Sequence, residues 1–333
     1  MNSSRPTQGT AATPNGSDAT RLVQPACSSY LLEAQNDDGG WGFSQGLESR
    51  VEPTSWALLA VTEISIGGSC TESISRGYKF LERAQLVDGS WPAASGQRTG
   101  SWVTSLACWA LRSRSDMSPR LARGVRWLED DVPGDARFWW RLVRGVVTFT
   151  SGKRVNAQNQ AYWGWSWTRR TASWVEPTAQ ALIALGMAPV ESSSRDAQQR
   201  RDLAEKMLFD RMCPGGGWNC GNPRVYGVPG EPLVGPTVWA LLALRAHPNR
   251  QEIRISLDWL AQNWMKIESP GSLALAHIGL QAYGKRISEI RVALAGLCAR
   301  GEFAWTVPVA AWTALATSEK MSWLNPAMPP QTS

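Results

Sequence analysis

Apolar residues recur along this chain with a period near that of an α-helix, in segments of two alternating kinds. Six segments are amphipathic, with one apolar stripe and one charged face: Leu22 to Ala34, Ile74 to Ala84, Leu121 to Glu129, Ala197 to Arg211, Ile253 to Trp264 and Ile287 to Cys298. Each gives way to a Gly-rich or irregular stretch. A smaller, more uniformly apolar segment follows, starting near Pro53, Val103, Pro177, Pro236, Gly271 and Pro308. Strand-like alternation is nearly absent. A helix with one apolar stripe lies on a surface, whereas one that is apolar all round must be enclosed on most sides. The pattern predicts an all-α fold of six outer and inner pairs, twelve helices, with the inner set forming a ring inside the outer set. Four of the six inner starts carry proline, whose missing N–H has no partner to lose at the first helical position.

The pairs are internally repetitive. Leu31-Leu-Glu-Ala-Gln35-Asn-Asp-Asp38-Gly-Gly-Trp41 returns as Phe80-Leu-Glu-Arg-Ala-Gln85-Leu-Val-Asp88-Gly-Ser-Trp91, sharing Ala-Gln-x-x-Asp-Gly-x-Trp at fixed spacing. A weaker copy, Met207 to Trp218, keeps the glycines and the tryptophan but has Met212 where glutamine stood. Repetition at this period indicates a stacked architecture in which each unit buries its apolar face on the next.

Composition adds three constraints. With 333 residues and 43% apolar content the chain can bury a large core, and no apolar run reaches the length of a membrane span. Residues 1–20 are Ser, Thr, Gly, Asn and Pro without an apolar stretch, so they are expected to be a disordered leader rather than a signal peptide or helix. Six cysteines show no close metal-type pairing, and a chain of this size needs no disulfide framework, which makes the cytoplasm the expected compartment. The net charge of +6 is spread thinly, permits contact with anionic lipid or phosphate, and gives no sign of nucleic-acid binding. Nineteen tryptophans are the compositional outlier; their π faces attract cations.

One connection breaks the rhythm. Between the third outer and third inner helices lie roughly forty residues, an insertion at about 131–172 that is long for an ordinary loop. It contains Phe138-Trp-Trp-Arg-Leu-Val-Arg144-Gly-Val-Val147 and Tyr162-Trp-Gly-Trp-Ser-Trp167. Segment 138–147 reads as an extra helix packed on the barrel, with peripheral membrane contact as the alternative. The expected organisation is a single toroid over 21–320, followed by a flexible tail at 321–333.

Gln followed six residues later by Trp, through a glycine turn after an outer helix, resembles the QW repeat of squalene-hopene cyclases and related terpenoid cyclases, and is similar to the repeats of prenyltransferase β-subunits. The resemblance implies an α/α toroid of six helical hairpins around an apolar lumen. It makes Gln35, Trp41, Gln85, Trp91 and Trp218 structural residues that tie adjacent hairpins together. It also implies an isoprenoid or other long apolar ligand in the lumen, whose candidate wall residues are Trp56, Gln180, Trp239, His277 and Trp312.

Class II terpenoid cyclases protonate an alkene with the middle Asp of Asp-x-Asp-Asp-Thr-Ala at an inner-helix start. No Asp-x-Asp-Asp occurs here. Trp174-Val-Glu176-Pro-Thr178-Ala179 keeps Thr-Ala and an acid at the middle position, and Val51-Glu52-Pro-Thr54 repeats the pattern. Glu176, and after it Glu52, are therefore the candidate catalytic acids, since a carboxyl facing an apolar lumen is favoured in its neutral, proton-donating form. A glutamate before a helix start is also what interaction with the helix dipole selects.

Metal chemistry has thin support, so no cofactor is expected. The prenyltransferase branch holds zinc with Asp, Cys and His, but the matching helix starts here read Val234-Gly-Pro-Thr237 and Ser269-Pro-Gly-Ser272. Cys213 and Cys220 lack the close spacing of zinc ligands. Asp130-Asp131 meets Val132-Pro133 too soon to be a magnesium motif, and Gly215-Gly-Gly217 is a turn rather than a phosphate loop. His277 reads either as a lumen residue or as a satisfied core histidine. Three readings stand: a divergent cyclase or isomerase using Glu176, a non-catalytic lipid-binding or scaffold toroid, and a prenyltransferase-type subunit needing a second chain. The first requires a deep aromatic cavity at the glutamates. The second requires a filled lumen with both glutamates against solvent or Arg.

Overall fold

The computed structural model describes residues 16–65, 70–112, 114, 118–136, 158–159, 161–186, 195–300, 303 and 305–324. Among them run twelve α-helices: α1 (Gly16–Glu33), α2 (Val51–Ile64), α3 (Thr71–Ala84), α4 (Val103–Leu111), α5 (Ser118–Asp130), α6 (Val175–Gly186), α7 (Arg195–Asp210), α8 (Val234–Ala243), α9 (Gln251–Asn263), α10 (Pro270–Gln281), α11 (Ser288–Ala299) and α12 (Val307–Thr317). Even-numbered helices are the inner set. All nine residues of α4 are buried, whereas α3 buries only Gly77, Tyr78 and Leu81. That contrast is the one the apolar pattern predicts.

The inner helices close a ring, α2 on α4, α4 on α6, α6 on α8, α8 on α10, α10 on α12, and α12 back on α2. Each outer helix lies against the inner helix of the preceding pair, and α1 lies against α12, the last. The fold is an all-α toroid of six hairpins. Because outer and inner helices alternate in direction, all six inner helices start at one rim. The connections that lead into them meet there: Val307 N–H donates to the Phe43 carbonyl (2.9 Å), and Val175 N–H to that of Cys220 (3.2 Å). A short antiparallel ribbon, Arg224–Val225 with Val228–Pro229, stands on the same rim.

Proline falls slightly later than the sequence pattern suggests. Pro53, Pro177 and Pro236 are third in their helices and Pro308 is second. The first four N–H groups of a helix lack intrahelical acceptors, so any place in the first turn accommodates proline.

The repeats share a common set of bonds. In the first, the Gln35 amide donates to the carbonyls of Gly39 (2.8 Å) and Ser73 (2.9 Å), the latter in the first turn of α3. In the second, Gln85 donates to Gly89 (2.8 Å) and Arg120 (2.9 Å), the latter in α5. The indole N–H of Trp41 caps the Leu31 carbonyl at 2.6 Å, that of Trp91 caps Leu81 at 2.7 Å, and that of Trp218 caps Leu208 at 2.6 Å. These carbonyls lie in the last turns of α1, α3 and α7, where intrahelical donors have run out. Where Met212 replaces glutamine, Ser256 of α9 accepts from Gly217 N–H at 2.8 Å and bridges to the next pair instead.

Two boundaries differ from expectation. Helix α1 begins at Gly16, inside the expected leader, because the stripe Val23, Cys27 and Leu31 is fully buried and the helix it nucleates runs back past the visible periodicity. Residues 1–15 lie outside the described residues. At the other end, Trp323 and Leu324 are buried rather than part of a flexible tail. The segment 138–147 lies outside the described residues.

Candidate functional site

Glu52 and Glu176 occupy equivalent places, each the second residue of its inner helix, α2 and α6, at the rim where the lumen opens. Both are half-buried, and neither has a hydrogen-bond or ion-pair partner among the described residues. Burial raises the Glu52 carboxyl to about 7, and the nearby charge of Glu176 pushes it in the same direction. Burial raises Glu176 as well. The helix dipole acts in the opposite sense, but it is worth only about 0.3–1 kcal/mol at a helix start. Desolvation of this size outweighs it.

Trp56, Trp239 and Trp312 each stand five residues after the first residue of their helices, α2, α8 and α12. They form one layer within the ring, about one helical turn or 6 Å below Glu52. Trp56 stacks on Trp239 with centroids 5.2 Å apart, and Trp312 meets Trp56 edge-on at 5.9 Å. Trp109 of α4 completes the layer, 5.6 Å from Trp56 and edge-on. Rings from four inner helices therefore fill the middle of the lumen. Gln180 lies one turn below Glu176 on the same face of α6, buried, with its Oε1 unpartnered among the described residues.

His277 does not belong to this group. It is fully buried and its Nε2 accepts from the Arg291 Nε–H of outer helix α11 at 3.2 Å. It faces the outer ring, not the lumen. Burial, reinforced by the Arg291 charge, lowers it to about 4, which keeps it neutral. The reading of His277 as a ligand-binding residue is corrected accordingly.

Trp109 and Trp323 were not singled out from the sequence. Trp109 had a signal: it sits six residues after the start of α4, one place from the position of the other three. Trp323 had none, since it follows the last periodic segment. Another omission is Trp165, a fourth member of the repeat. Its indole N–H caps the Leu128 carbonyl at 2.9 Å, but that partner is 37 residues away because the insertion intervenes.

Two cavities open near the mouth without entering the tryptophan layer. One, about 370 Å³, lies between the first two pairs beside Arg50, Phe80 and Arg83. A smaller polar one, about 170 Å³, is lined by Asp135, Tyr162, Ser173, Arg211 and Asn222 near the start of α6. Among the described residues no group of three His, Cys, Asp or Glu side chains is arranged to hold a metal ion. No described helix is long and apolar enough to cross a membrane. Of the ten large apolar side chains exposed among the described residues, all but Leu32 and Ile255 lie in the connections of the mouth rim. Tyr226, Val228 and Met265 are among the most exposed.

No known protein family profile matches the chain. It is 38% identical over 77 residues to protostadienol synthase A of Arthroderma gypseum, covering 20% of this chain and 10% of that protein. It is 33% identical over 89 residues to drimenyl diphosphate synthase of Streptantibioticus cattleyicolor, covering 27% of this chain and 16% of that protein. The aligned stretches thus span well under two thirds of either relative. Among solved structures, it superposes on a variant of the type II terpene cyclase MstE from Scytonema in complex with geranylgeranyl dihydroxybenzoate. The TM-score is 0.61 at 13% identity, with 91% of this chain and 97% of that one covered. The chain has the terpenoid-cyclase-like α/α toroid fold.

Proposed function

We propose that the protein takes a linear isoprenoid or a similar long apolar chain with its reacting end at Glu52 and Glu176, and catalyses a protonation-initiated cyclisation or isomerisation there. The observation that carries this reading is a pair of half-buried carboxyls, both raised and without a cationic partner, standing over a layer of tryptophans. In the protonated form Glu176 donates to one alkene carbon and leaves positive charge on its neighbour. Indole faces stabilise that charge. The carboxylate this leaves on Glu176 then takes a proton from the adjacent carbon, which restores both the double bond and the acid. Glu176 is assigned as donor because Thr178-Ala179 follow it as they follow the acid in the cyclase motif.

The apolar rim supports delivery of such a substrate from a lipid surface, since large exposed apolar patches mark interaction sites. A second reading, a toroid that binds an apolar ligand without converting it, is favoured by one observation: tryptophan rings occupy the middle of the lumen. Incubation with linear isoprenes and their diphosphates, without metal and then with magnesium or zinc, separates the two by mass spectrometry. A rearranged product that disappears in Glu176→Gln is the expected result. Ligand retained unchanged on native mass analysis would favour the binding toroid, and neither product nor retention would overturn both.

A further inference from the structure

The end of the lumen opposite the two glutamates is closed by the chain itself. Glu63, in the last turn of α2 and 5% exposed, accepts from Ser318 Oγ–H (2.7 Å), Ser322 N–H (3.2 Å) and Trp323 N–H (3.1 Å), and also from Ser322 Oγ–H. Four donors from one short segment converge on one buried carboxylate, an arrangement that fixes the segment's place. The same segment is tied to three more inner helices. Trp323 stacks on Trp109 of α4 at 5.3 Å, and the Trp109 indole N–H donates to the Trp323 carbonyl at 2.9 Å. Gln281, the last residue of α10, donates to the Ser318 carbonyl at 3.0 Å. Arg245, just past α8, donates to that of Leu324 at 3.1 Å. A segment tied to four of six helix ends spans the opening.

We infer that Trp323 is the prop beneath the tryptophan layer that floors the lumen, and that it sets the length of apolar chain the lumen accepts, an inference that rests on the apolar-ligand reading above. Trp323 lies under Trp109 and holds it up in the layer. The layer is about one helical turn, 6 Å, below the glutamates, whereas Glu63 is about 16 Å below Glu52 along α2 at 1.5 Å per residue. Trp323 and the layer it supports therefore take the lower part of the lumen away from any ligand. The Trp323 indole N–H is itself buried and unpartnered among the described residues, a costly state for a donor and one that a ligand's acceptor or displacement of the ring would relieve. Removing the ring frees Trp109 to drop and lengthens the lumen from below, leaving the mouth unchanged.

The test is binding rather than turnover: native mass spectrometry of the full chain with linear isoprenoid alcohols of ten, fifteen and twenty carbons. Trp323→Ala is expected to shift preference toward the longer alcohols by about tenfold or more, the scale on which apolar sites discriminate chain length. Trp323→Phe keeps a ring and serves as the conservative control, with a smaller shift. Glu63→Gln, which loosens the segment without shortening it, is expected to shift preference in the same direction and serves if Trp323→Ala fails to fold. Equal preference in wild type and variants overturns this role of Trp323 and leaves the ligand reading intact. Failure of every form to bind any alcohol overturns both.

Discussion

Trp165 and Thr178 hold each other across a rim turn: the Trp165 N–H donates to Thr178 Oγ1 at 2.9 Å, and that hydroxyl donates back to the Trp165 carbonyl at 3.3 Å. The same exchange joins Trp41 with Thr54, Trp91 with Thr104, and Trp218 with Thr237. Each threonine sits in the first turn of an inner helix. One hydroxyl thus meets both backbone groups of a buried tryptophan. Thr178→Val keeps the shape and leaves the buried Trp165 N–H without a partner, while the carbonyl still accepts from Trp174 N–H at 2.9 Å; the loss costs about 1–3 kcal/mol. The expected result is a thermal midpoint lowered by several degrees in calorimetry. A midpoint unchanged within error would show that water or backbone adjustment replaces the hydroxyl.

Glycine is obligatory at one place in the turns before Trp41, Trp91 and Trp218, where Gly39, Gly89 and Gly216 all have positive φ. Gly89 has φ +92°, and a Cβ there would lie 2.7 Å from the Arg123 carbonyl oxygen of α5. Gly46 has φ +78° but open space around it. Both Gly→Ala variants carry the left-handed backbone cost of about 1 kcal/mol, and only Gly89→Ala adds a backbone clash. Denaturant titration should find Gly89→Ala the less stable by at least about 1 kcal/mol. Equal losses would mean that α5 moves away freely.

The raised Glu52 carboxyl makes stability depend on pH. A folded-state value of about 7, above the ordinary value of 4.5, means the folded protein holds this proton more tightly than the unfolded chain does. Its contribution is present in full below 4.5 and is lost as pH rises through 7, with a total on the order of 3 kcal/mol. Glu52→Gln should therefore be more stable than wild type at pH 8 and lose the difference by pH 4. Parallel stability curves from pH 4 to 8 would show that Glu52 is well solvated.

His277 works in the opposite direction. Its folded value of about 4 lies below the usual 6.5, so its contribution is present above 6.5 and is lost as pH falls through 4. Replacing it with Gln, which can still accept from Arg291, should flatten the acid limb of the stability curve. Catalytic or binding constants measured at neutral pH should change little, because the ring faces α11; a large change would return His277 to the lumen.

If Glu176 donates a proton, turnover depends on its protonated form. The rate under subsaturating substrate should fall as pH rises through the raised range of the Glu176 carboxyl, in wild type and in Glu52→Gln alike, because burial rather than the charge of Glu52 raises Glu176. A profile flat from pH 5 to 9 would argue against a carboxyl donor.

Much of this was legible in the sequence, and the reasons differ by element. The inner helices announced themselves because they are apolar on every face and carry Pro53, Pro177, Pro236 or Pro308 in the first turn. The outer ends of α3 and α7 were marked by the repeat around Trp91 and Trp218. Trp165 escaped because its partner carbonyl is separated by the insertion, although the thirteen-residue step to Thr178 matches that from Trp41 to Thr54. The position of Glu52 and Glu176 at inner-helix starts was readable, but not that burial would outweigh the helix dipole. Glu63 and Trp323 were beyond reach: their bond joins positions 260 residues apart, and nothing local marks either end.

The seam between the first and last hairpins has a consequence for synthesis. Tyr30 stacks on Trp305 at 5.2 Å and donates to its carbonyl at 3.2 Å, across 275 residues of chain. Until α12 has left the ribosome, the buried stripe of α1 has no mate, and five hairpins stand as an open arc with two adhesive edges. The arc can shut on itself or on a neighbouring nascent chain, so the yield of folded protein should fall with crowding of unfinished chains, and a permuted gene that begins within an inner-to-outer connection would move that vulnerable edge without altering the finished ring.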